Sequence, residues 1–449
     1  MALIVAEADP RPCGREFGRA GEHPLKVAYL FTTFPLLTET PAQRELRVLR
    51  TLPVELQIYS LWGGGCEFEG IPIRHYAKWR LIALLWWFPY WLSRRPGAFL
   101  RLAVRLASAR ARSLLNAGET LLGLAFALCY AAQFSGAARR PDLLHAAWAT
   151  LPATAAQLLS DLTGIPFSMG AHAYDVFRNG GDWLLSSKLQ DASLVITSSE
   201  STRKALLERG ADPDKTALIR RGLDPPPTRR APRARRSPLR VLAVGRLIEK
   251  KGYHEQLVVY AALKAAGLVF EARIVGAGPL ERALKKRAAE LGLTELVRFV
   301  GSLPHDAVVA QYAWADVMLF TGHVARNGDR DGLPNVIPEA MAAGVVVVAN
   351  AVAGVSEAVE DGRTGILITK SGTEPWIAAL RRLQSDDRYY DHLCAGAGAW
   401  VEAHYDARRN TRRLLDHLEA VMLPPVETSR TPSGEANRLS VGKAAAFHN

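Results

Sequence analysis

Short apolar runs and longer amphipathic stretches take turns along this chain. "KVAYLFTTF" from Lys26, "LRVLAV" from Leu239 and "VVVVAN" from Val345 are compact, rich in β-branched or aromatic residues and bounded by turn residues, which marks them as buried strands. The segments between them hold good helix formers with capping residues at their starts. Thr40, Pro41 and Gln43 supply a cap, a first-turn proline and a capping-box partner for the helix after the first strand. "LLHAAWATLPATAAQLLSDL" and "ASLVITSSESTRKALLERG" repeat the order of strand then helix, with Ser or Thr near the junction. The strand Leu239–Val244 ends at Gly245, and the helix after it begins near Gly252. Such alternation in both halves predicts parallel sheets covered by helices.

The stretch "GDRDGLPNVIPEAMAAG", residues 328–344, places chemistry on this frame. Proline is tolerated only in the first turn of a helix, so a helix containing Pro338 starts just before it, with Asn335 as its natural cap and Gly344 as its stop. Asp331 then lies in the preceding loop and Glu339 in the first turn. Two readings stand side by side here. The acids either complement the helix dipole, or accept hydrogen bonds from sugar hydroxyls while backbone N–H groups hold a phosphate. Arg246 and Lys251 flank the turn after the strand that ends at Val244, at the carboxyl end where open α/β sheets bind ligands, and they suit a diphosphate. Gly276 and Gly278 resemble half of a dinucleotide fingerprint, but Glu281 stands where the third glycine belongs, which favours a glycine-permitted turn over a nicotinamide site.

At 449 residues, with 22% charged, the chain has room for two globular domains of roughly 200 residues each. The formal net charge of +12 is too localised to suggest nucleic acid. "RRGLDPPPTRRAPRARRSPLR", residues 220–240, holds one part of it, and its prolines exclude a continuous helix or central strand, so it reads as a linker and domain boundary. The other part runs from Lys78 to Arg112 without an acid. Its front, "LIALLWWFPYWL", is broken by Pro89 and is too short for a bilayer, which takes about 20 residues. Behind it Arg101, Arg105 and Arg112 share one helical arc, which fits either an interfacial element or a pair of buried helices with solvated arginines. A further apolar run at 121–134 is also too short to span and reads as core. Four cysteines share no metal-ligand or disulfide spacing, and the N-terminus has acids where a signal peptide needs a basic region, so a cytoplasmic location is expected.

Taken together, "VAVGRLIEKKG", "IVGAGPL", "VRFVGSLP", "GDRDGLPNVIPEAMAAG" and "EDGRTGILI" resemble, in order and spacing, the retaining glycosyltransferases of the GT-B fold, in the large group that includes glycogen, sucrose and bacterial polysaccharide enzymes. The resemblance covers roughly residues 26 to 420 and implies two Rossmann-like domains facing across a donor-binding cleft. It implies that Arg246 and Lys251 hold the donor diphosphate. Asp331 and the backbone of Gly332, Leu333, Pro334, Asn335 and Val336 hold the transferred sugar and phosphate on this pattern, and Glu339 holds the nucleotide ribose. His172, in "GAHAYD", matches the family's histidine facing the donor sugar; a lone histidine after a strand is otherwise more often structural. Two departures are Asp331 where the family usually has Glu, and His145-Ala146-Ala147 where relatives often read His-Ala-His.

The expected layout is a flexible segment at 1–25, an acceptor-binding domain at 26–222, the linker at 223–238 and a nucleotide-sugar-binding domain at 239–400. A helix at 401–423 returns to the first domain, and the tail at 424–449 is disordered. The implied activity is transfer of a sugar from a nucleotide donor to a saccharide acceptor, lipid-linked and met at the inner membrane surface through residues 78–112, with no cofactor and no metal. The alternative is a nucleotide-sugar-binding or scaffolding protein of the same fold that has lost turnover.

Overall fold

The computed structural model describes residues 23–36, 39–75, 78–136, 140–224 and 237–423; the expected flexible start, most of the linker and the tail lie outside them. The first half runs β1 (Leu25–Phe31), α1 (Thr40–Leu49), β2 (Val54–Ser60), β3 (Glu67–Phe68), β4 (Ile71–His75), α2 (Leu84–Arg94), α3 (Pro96–Ser108) and α4 (Leu114–Ser135). It continues through β5 (Leu143–Ala146), α5 (Leu151–Thr163), β6 (Phe167–Gly170), α6 (Ala173–Phe177), α7 (Leu185–Asp191), β7 (Leu194–Thr197), α8 (Glu200–Glu208) and β8 (Thr216–Leu218). The second half holds β9 (Leu239–Val244), α9 (Tyr253–Ala265), β10 (Phe270–Val275), α10 (Glu281–Glu290), β11 (Val297–Gly301), α11 (His305–Trp314) and β12 (Val317–Phe320). It closes with α12 (Val336–Ala342), β13 (Val346–Asn350), β14 (Ile366–Ile368), α13 (Glu374–Ser385), α14 (Asp387–His404) and α15 (Ala407–Ala420).

Each half is a doubly wound α/β unit. The first sheet has the order β3-β4-β2-β1-β5-β6-β7-β8 and the second β11-β10-β9-β12-β13-β14. Every pairing is parallel except that of β3 with β4. Strands such as β7 and β12 are buried along their whole length, because helices cover both faces and leave no solvated side. In the first half α5 packs with α4 on one face, while α1 packs with α15 on the other. In the second, Leu257 and Leu380 of α9 and α13 fill one face, and Ile337 and Val401 of α12 and α14 the other.

The chain crosses between the halves twice, at adjacent points. Leu223 donates its N–H to the carbonyl of Tyr405 at 2.8 Å, and a Cβ on Gly222 would lie 2.0 Å from Cα of Ala407. After this crossing α15 lays Leu414, Leu415 and Leu418 into the core of the first half, although it follows the second in sequence.

Local detail departs from the sequence reading at four places. The residue before α1 is Glu39, and no capping box forms: Gln43 donates instead to the carbonyl of Leu36 at 2.8 Å. Asn335 precedes α12 but has helical dihedrals and no side-chain cap, because the turn already starts at Pro334, whose carbonyl accepts from Ile337 N at 3.0 Å. Pro89 does not break the apolar run, since α2 continues through it. The run at 121–134 is part of α4, which at Leu114–Phe134 is long and apolar enough to cross a membrane by length and composition, yet packs against α5 with more than half of that stretch buried.

Candidate functional site

Both sheets reverse their direction of growth once, between β1 and β5 in the first and between β9 and β12 in the second. The crevice outside the carboxyl ends of the strands at such a point is where open α/β sheets bind ligands. These two crevices face each other. Gly332, in the loop after β12, lies so near α8 that a Cβ there would sit 2.7 Å from Oγ of Ser199.

The second-half wall carries paired charges. Nζ of Lys251 lies 2.6 Å from Oδ2 of Asp331, and Nζ of Lys250 lies 3.4 Å from Asp331 Oδ1 and 3.0 Å from Asp329 Oδ1. Burial pushes the Asp331 carboxyl up, but the two ammonium groups outweigh it and hold the group below its ordinary range. Arg246 is exposed in the loop after β9 that also carries Lys250 and Lys251. Gly276 has φ of +141° and a Cβ there would come 2.0 Å from the carbonyl oxygen of Gly245, so this glycine serves the close approach of two strand-end turns.

Glu339 is already engaged. Its Oε1 accepts from Nη2 of Arg44, on α1 of the other half, at 2.7 Å, and its Oε2 accepts from the hydroxyl of Tyr312 at 3.0 Å. The side chain keeps 12% of its exposure and that of Arg44 keeps 5%. A carboxylate offers about four acceptor positions, so two partners leave room for a vicinal diol. Buried beside this carboxylate, the Tyr312 phenol is pushed well above its usual range.

On the first-half wall His172 follows β6, with its backbone N–H donating to Oδ2 of Asp175 at 2.8 Å. Nη2 of Arg221 lies 2.7 Å from its Nε2 and Oγ of Ser198 3.4 Å from its Nδ1, while Trp148 packs edge-on at 5.2 Å. A guanidinium only donates, so Nε2 is the acceptor and the ring is neutral; burial and the Arg221 charge both hold it well below the usual range. His145 is buried within β5, with Nδ1 2.8 Å from Oγ of Ser168, and burial lowers it to about 3. It belongs to the packed interior beneath the cleft.

Several residues that join the halves escaped the sequence reading. Glu357, which the sequence does not single out, accepts from the backbone N–H groups of Glu200 and Ser201 at the start of α8, each at 2.9 Å, and from Nη1 of Arg220 at 2.9 Å. Arg220 and Arg221 fall in the stretch read as a basic linker, but both are half-buried: Arg220 binds Glu357 across the seam, and Arg221 lies against Glu45 and His172 within the first half. Arg44 gave no signal, because nothing local distinguishes an arginine that crosses a cleft from one that meets water. Among the described residues no group of three or more His, Cys, Asp or Glu is placed to hold a metal ion.

Comparison with known proteins places this geometry in a family. Residues 226–397 match the model for glycosyl transferases group 1, and residues 56–222 match that for the glycosyl transferase 4-like domain. The chain is 31% identical over 195 residues to the putative colanic acid biosynthesis glycosyltransferase WcaL of Salmonella typhimurium, covering 43% of this chain and 48% of that one. It is 34% identical over 182 residues to the amylovoran biosynthesis glycosyltransferase AmsK of Erwinia amylovora, covering 40% and 45%. These matches therefore span slightly under half the length of either relative. Among solved structures, Anabaena HepE in complex with UDP and glucose superposes with a TM-score of 0.64 at 18% identity, covering 88% of this chain and all of that one. Sucrose-phosphate synthase of Thermosynechococcus elongatus does so with a TM-score of 0.63 at 15% identity, covering 89% and 99%. At these identities the structural likeness establishes the GT-B fold.

One titrating group on the first-half wall yields a direct expectation. Oε2 of Glu39 is buried without a hydrogen-bond partner, and burial raises this carboxyl from 4.5 to about 7, with Trp148 and Arg221 offsetting part of the effect. The folded chain thus holds this proton more tightly than the unfolded chain. The resulting stability is fully present below about pH 4.5 and is lost as pH rises through about 7. Glu39→Gln should therefore gain melting temperature relative to the wild type across that window. A difference that stays flat with pH would show that Glu39 reaches solvent.

Proposed function

We propose that this chain, which belongs to the group 1 glycosyltransferases, transfers a sugar from a nucleoside diphosphate to a saccharide acceptor. The observation that carries this reading is the convergence of Arg246, Lys251, Asp331 and Glu339 at one switch point, opposite His172 at the other. On this reading the diphosphate lies between Arg246, Lys251 and the backbone from Gly332 to Val336. The ribose diol donates to the acceptor positions of Glu339 that Arg44 and Tyr312 leave open, and Asp331 and His172 face the sugar from opposite walls.

The acceptor oxygen forms a bond to the anomeric carbon on the face from which the diphosphate departs, so configuration is retained. The bond from that carbon to the phosphate oxygen breaks, and the acceptor proton passes to that oxygen. Arg246 and Lys251 then stabilise the leaving group without a metal or other cofactor, and the walls hold the reactants in place. The names of the colanic acid and amylovoran relatives support a place in exopolysaccharide or cell-envelope glycan synthesis, and the proposal puts that work at the cytoplasmic face of the membrane. Binding without turnover is favoured by one observation, the occupation of His172 Nε2 by Arg221. Product formation with a matched acceptor separates the two readings.

A screen of UDP-, GDP- and ADP-sugars by thermal shift identifies the donor, since a ligand that binds only the folded state raises its melting temperature. Arg246 is exposed, so Arg246→Ala should leave the unliganded melting temperature unchanged and abolish the donor-induced shift. A full shift in that variant would remove Arg246 from the donor site. Lys251→Ala is a poorer probe, because it also strips Asp331 of its nearest cation.

The acceptor, in this proposal, is lipid-linked and met at a membrane. α2 and α3 bury Trp91 and Ala98 fully but leave Leu85 82% and Trp86 71% exposed, with Trp79 and Leu100 also outward. Arg80, Arg94, Arg95 and Arg110 are exposed around them. The arginine arc inferred from the sequence does not face outward as a set: Arg101 and Arg105 bind Asp161 and Arg105 also binds Asp191, so two of its three charges fasten α3 to the domain. Apolar insertion and exposed arginines, each contributing about 1 kcal/mol near an anionic surface, act together. The protein should float with anionic vesicles at low salt and release as salt rises, and Leu85→Ser with Trp86→Ser should abolish flotation. No flotation of the wild type at low salt would place the acceptor in solution.

A further inference from the structure

Three arginines without a counter-charge meet where the apolar surface adjoins the cleft. Arg112 lies in the loop between α3 and α4, Arg209 ends α8, and Arg330 comes from the second half, one residue before Asp331. They converge on the turn at 177–181. A Cβ on Gly180 would lie 2.6 Å from Nη1 of Arg112, and Nη1 of Arg209 donates to the Gly180 carbonyl at 3.1 Å. The Arg330 guanidinium stacks on the Phe177 ring at 4.0 Å. The halves are tied together here by the N–H of Asn179, which donates to the carbonyl of Asn327 at 2.8 Å.

The turn itself is strained. Asn179 has φ of +50° and Gly180 and Gly181 follow at +81° and +101°, so three successive residues occupy backbone conformations that side chains other than glycine rarely adopt. Removing the β-carbons at 180 and 181 is what lets the two guanidinium groups lie against the backbone. Among the described residues none of the three arginines has a carboxylate within ion-pair distance. The acids nearby are committed: Glu119 to Arg178 at 2.9 Å, Asp329 to Lys250, and Asp331 to Lys251. Burial lowers the Arg209 guanidinium, and the charges of Arg112 and Arg330 lower it further. Like charges held together in this way oppose folding unless an anion completes the set, and the guanidinium fork matches a phosphate in shape as well as charge.

We infer that Arg112, Arg209 and Arg330 form a binding site for the phosphate or diphosphate group of the acceptor, separate from the donor diphosphate site. The order of features along the surface gives the reason. Leu114, 94% exposed, is two residues from Arg112, and Asp331 is next to Arg330, so the cluster stands between an apolar face and the sugar-facing loop. A saccharide carried on a lipid diphosphate has its charged group in that same place, between hydrocarbon and sugar. This inference rests on the proposed function for its account of the acceptor, but the site is testable without it.

The test compares the full-length wild type with the double variant Arg112→Gln/Arg209→Gln, two exposed positions whose change should leave the unliganded melting temperature unchanged or raise it, since it relieves the repulsion among the three charges. Inorganic diphosphate is titrated in the presence of a saturating nucleotide that stabilises the protein, so that the donor site is filled. The wild type should bind it, and the variant should bind at least tenfold more weakly while retaining its response to nucleotide. Phosphatidylcholine vesicles with and without a long-chain prenyl diphosphate then identify the source. Arginine-dependent capture by the doped vesicles assigns a lipid carrier, and binding of free diphosphate alone assigns a soluble phosphate-bearing acceptor. Equal binding by the two proteins overturns the site. So does loss of wild-type diphosphate binding once nucleotide is added, or loss of nucleotide binding in the variant, since either would return these arginines to the donor pocket. If no nucleotide sugar stabilises the wild type but diphosphate binding still depends on Arg112 and Arg209, the donor reading fails and the anion site stands.

Discussion

A carboxylate buried between two domains must be matched, because an unpaired charge there costs several kcal/mol. Glu339 is such a group, and its matching decides how the halves meet. Arg44 reaches it from α1 and Tyr312 from α11, so the side chain proposed to meet a sugar diol also ties the first half to the second. Glu357 plays the complementary part at the start of α8, where it satisfies two backbone donors and Arg220. With these contacts and the paired crossing at Gly222 and Ala407 in place, the loops after β6 and β12 are held face to face.

This economy has a consequence for binding. In the proposed complex the ribose would share with Arg44 and Tyr312 the carboxylate that ties the halves together. Arg44 and Tyr312 fix the carboxylate's orientation before any ligand arrives, which removes side-chain entropy that binding would otherwise cost. Asp331 is preorganised in the same way by Lys250 and Lys251.

Much of this architecture was legible in the chain. Runs such as "LRVLAV" and "VVVVAN", with glycine or proline at their ends, place strands because full burial and turn chemistry are both local properties. Pro338 placed the start of α12 within a residue or two for the same reason. The capping box at Thr40 failed because Gln43 found a better acceptor in a neighbouring loop, and the arginine arc at 101–112 failed because Asp161 and Asp191, 56 or more residues from the arginines they bind, claim two of its members. Residue separation, not ambiguity of type, hid Arg44, Arg221 and Glu357. Periodicity reports which face of an element is apolar, and it says nothing about which distant charge that element will meet.

The central claim is that Glu339 presents acceptor positions to a nucleotide ribose while Arg44 holds it in place. Calorimetric titration of the stabilising nucleoside diphosphate into the wild type and into Glu339→Gln measures this directly. A hydrogen bond to a charged group contributes about 1.5 to 3 kcal/mol, so the variant should bind roughly ten- to a hundredfold more weakly; its unliganded melting temperature should fall as well, because the neutral amide leaves the buried Arg44 charge without a counter-charge. Equal affinity in the two proteins would contradict the account and leave Glu339 as a structural tie between the halves.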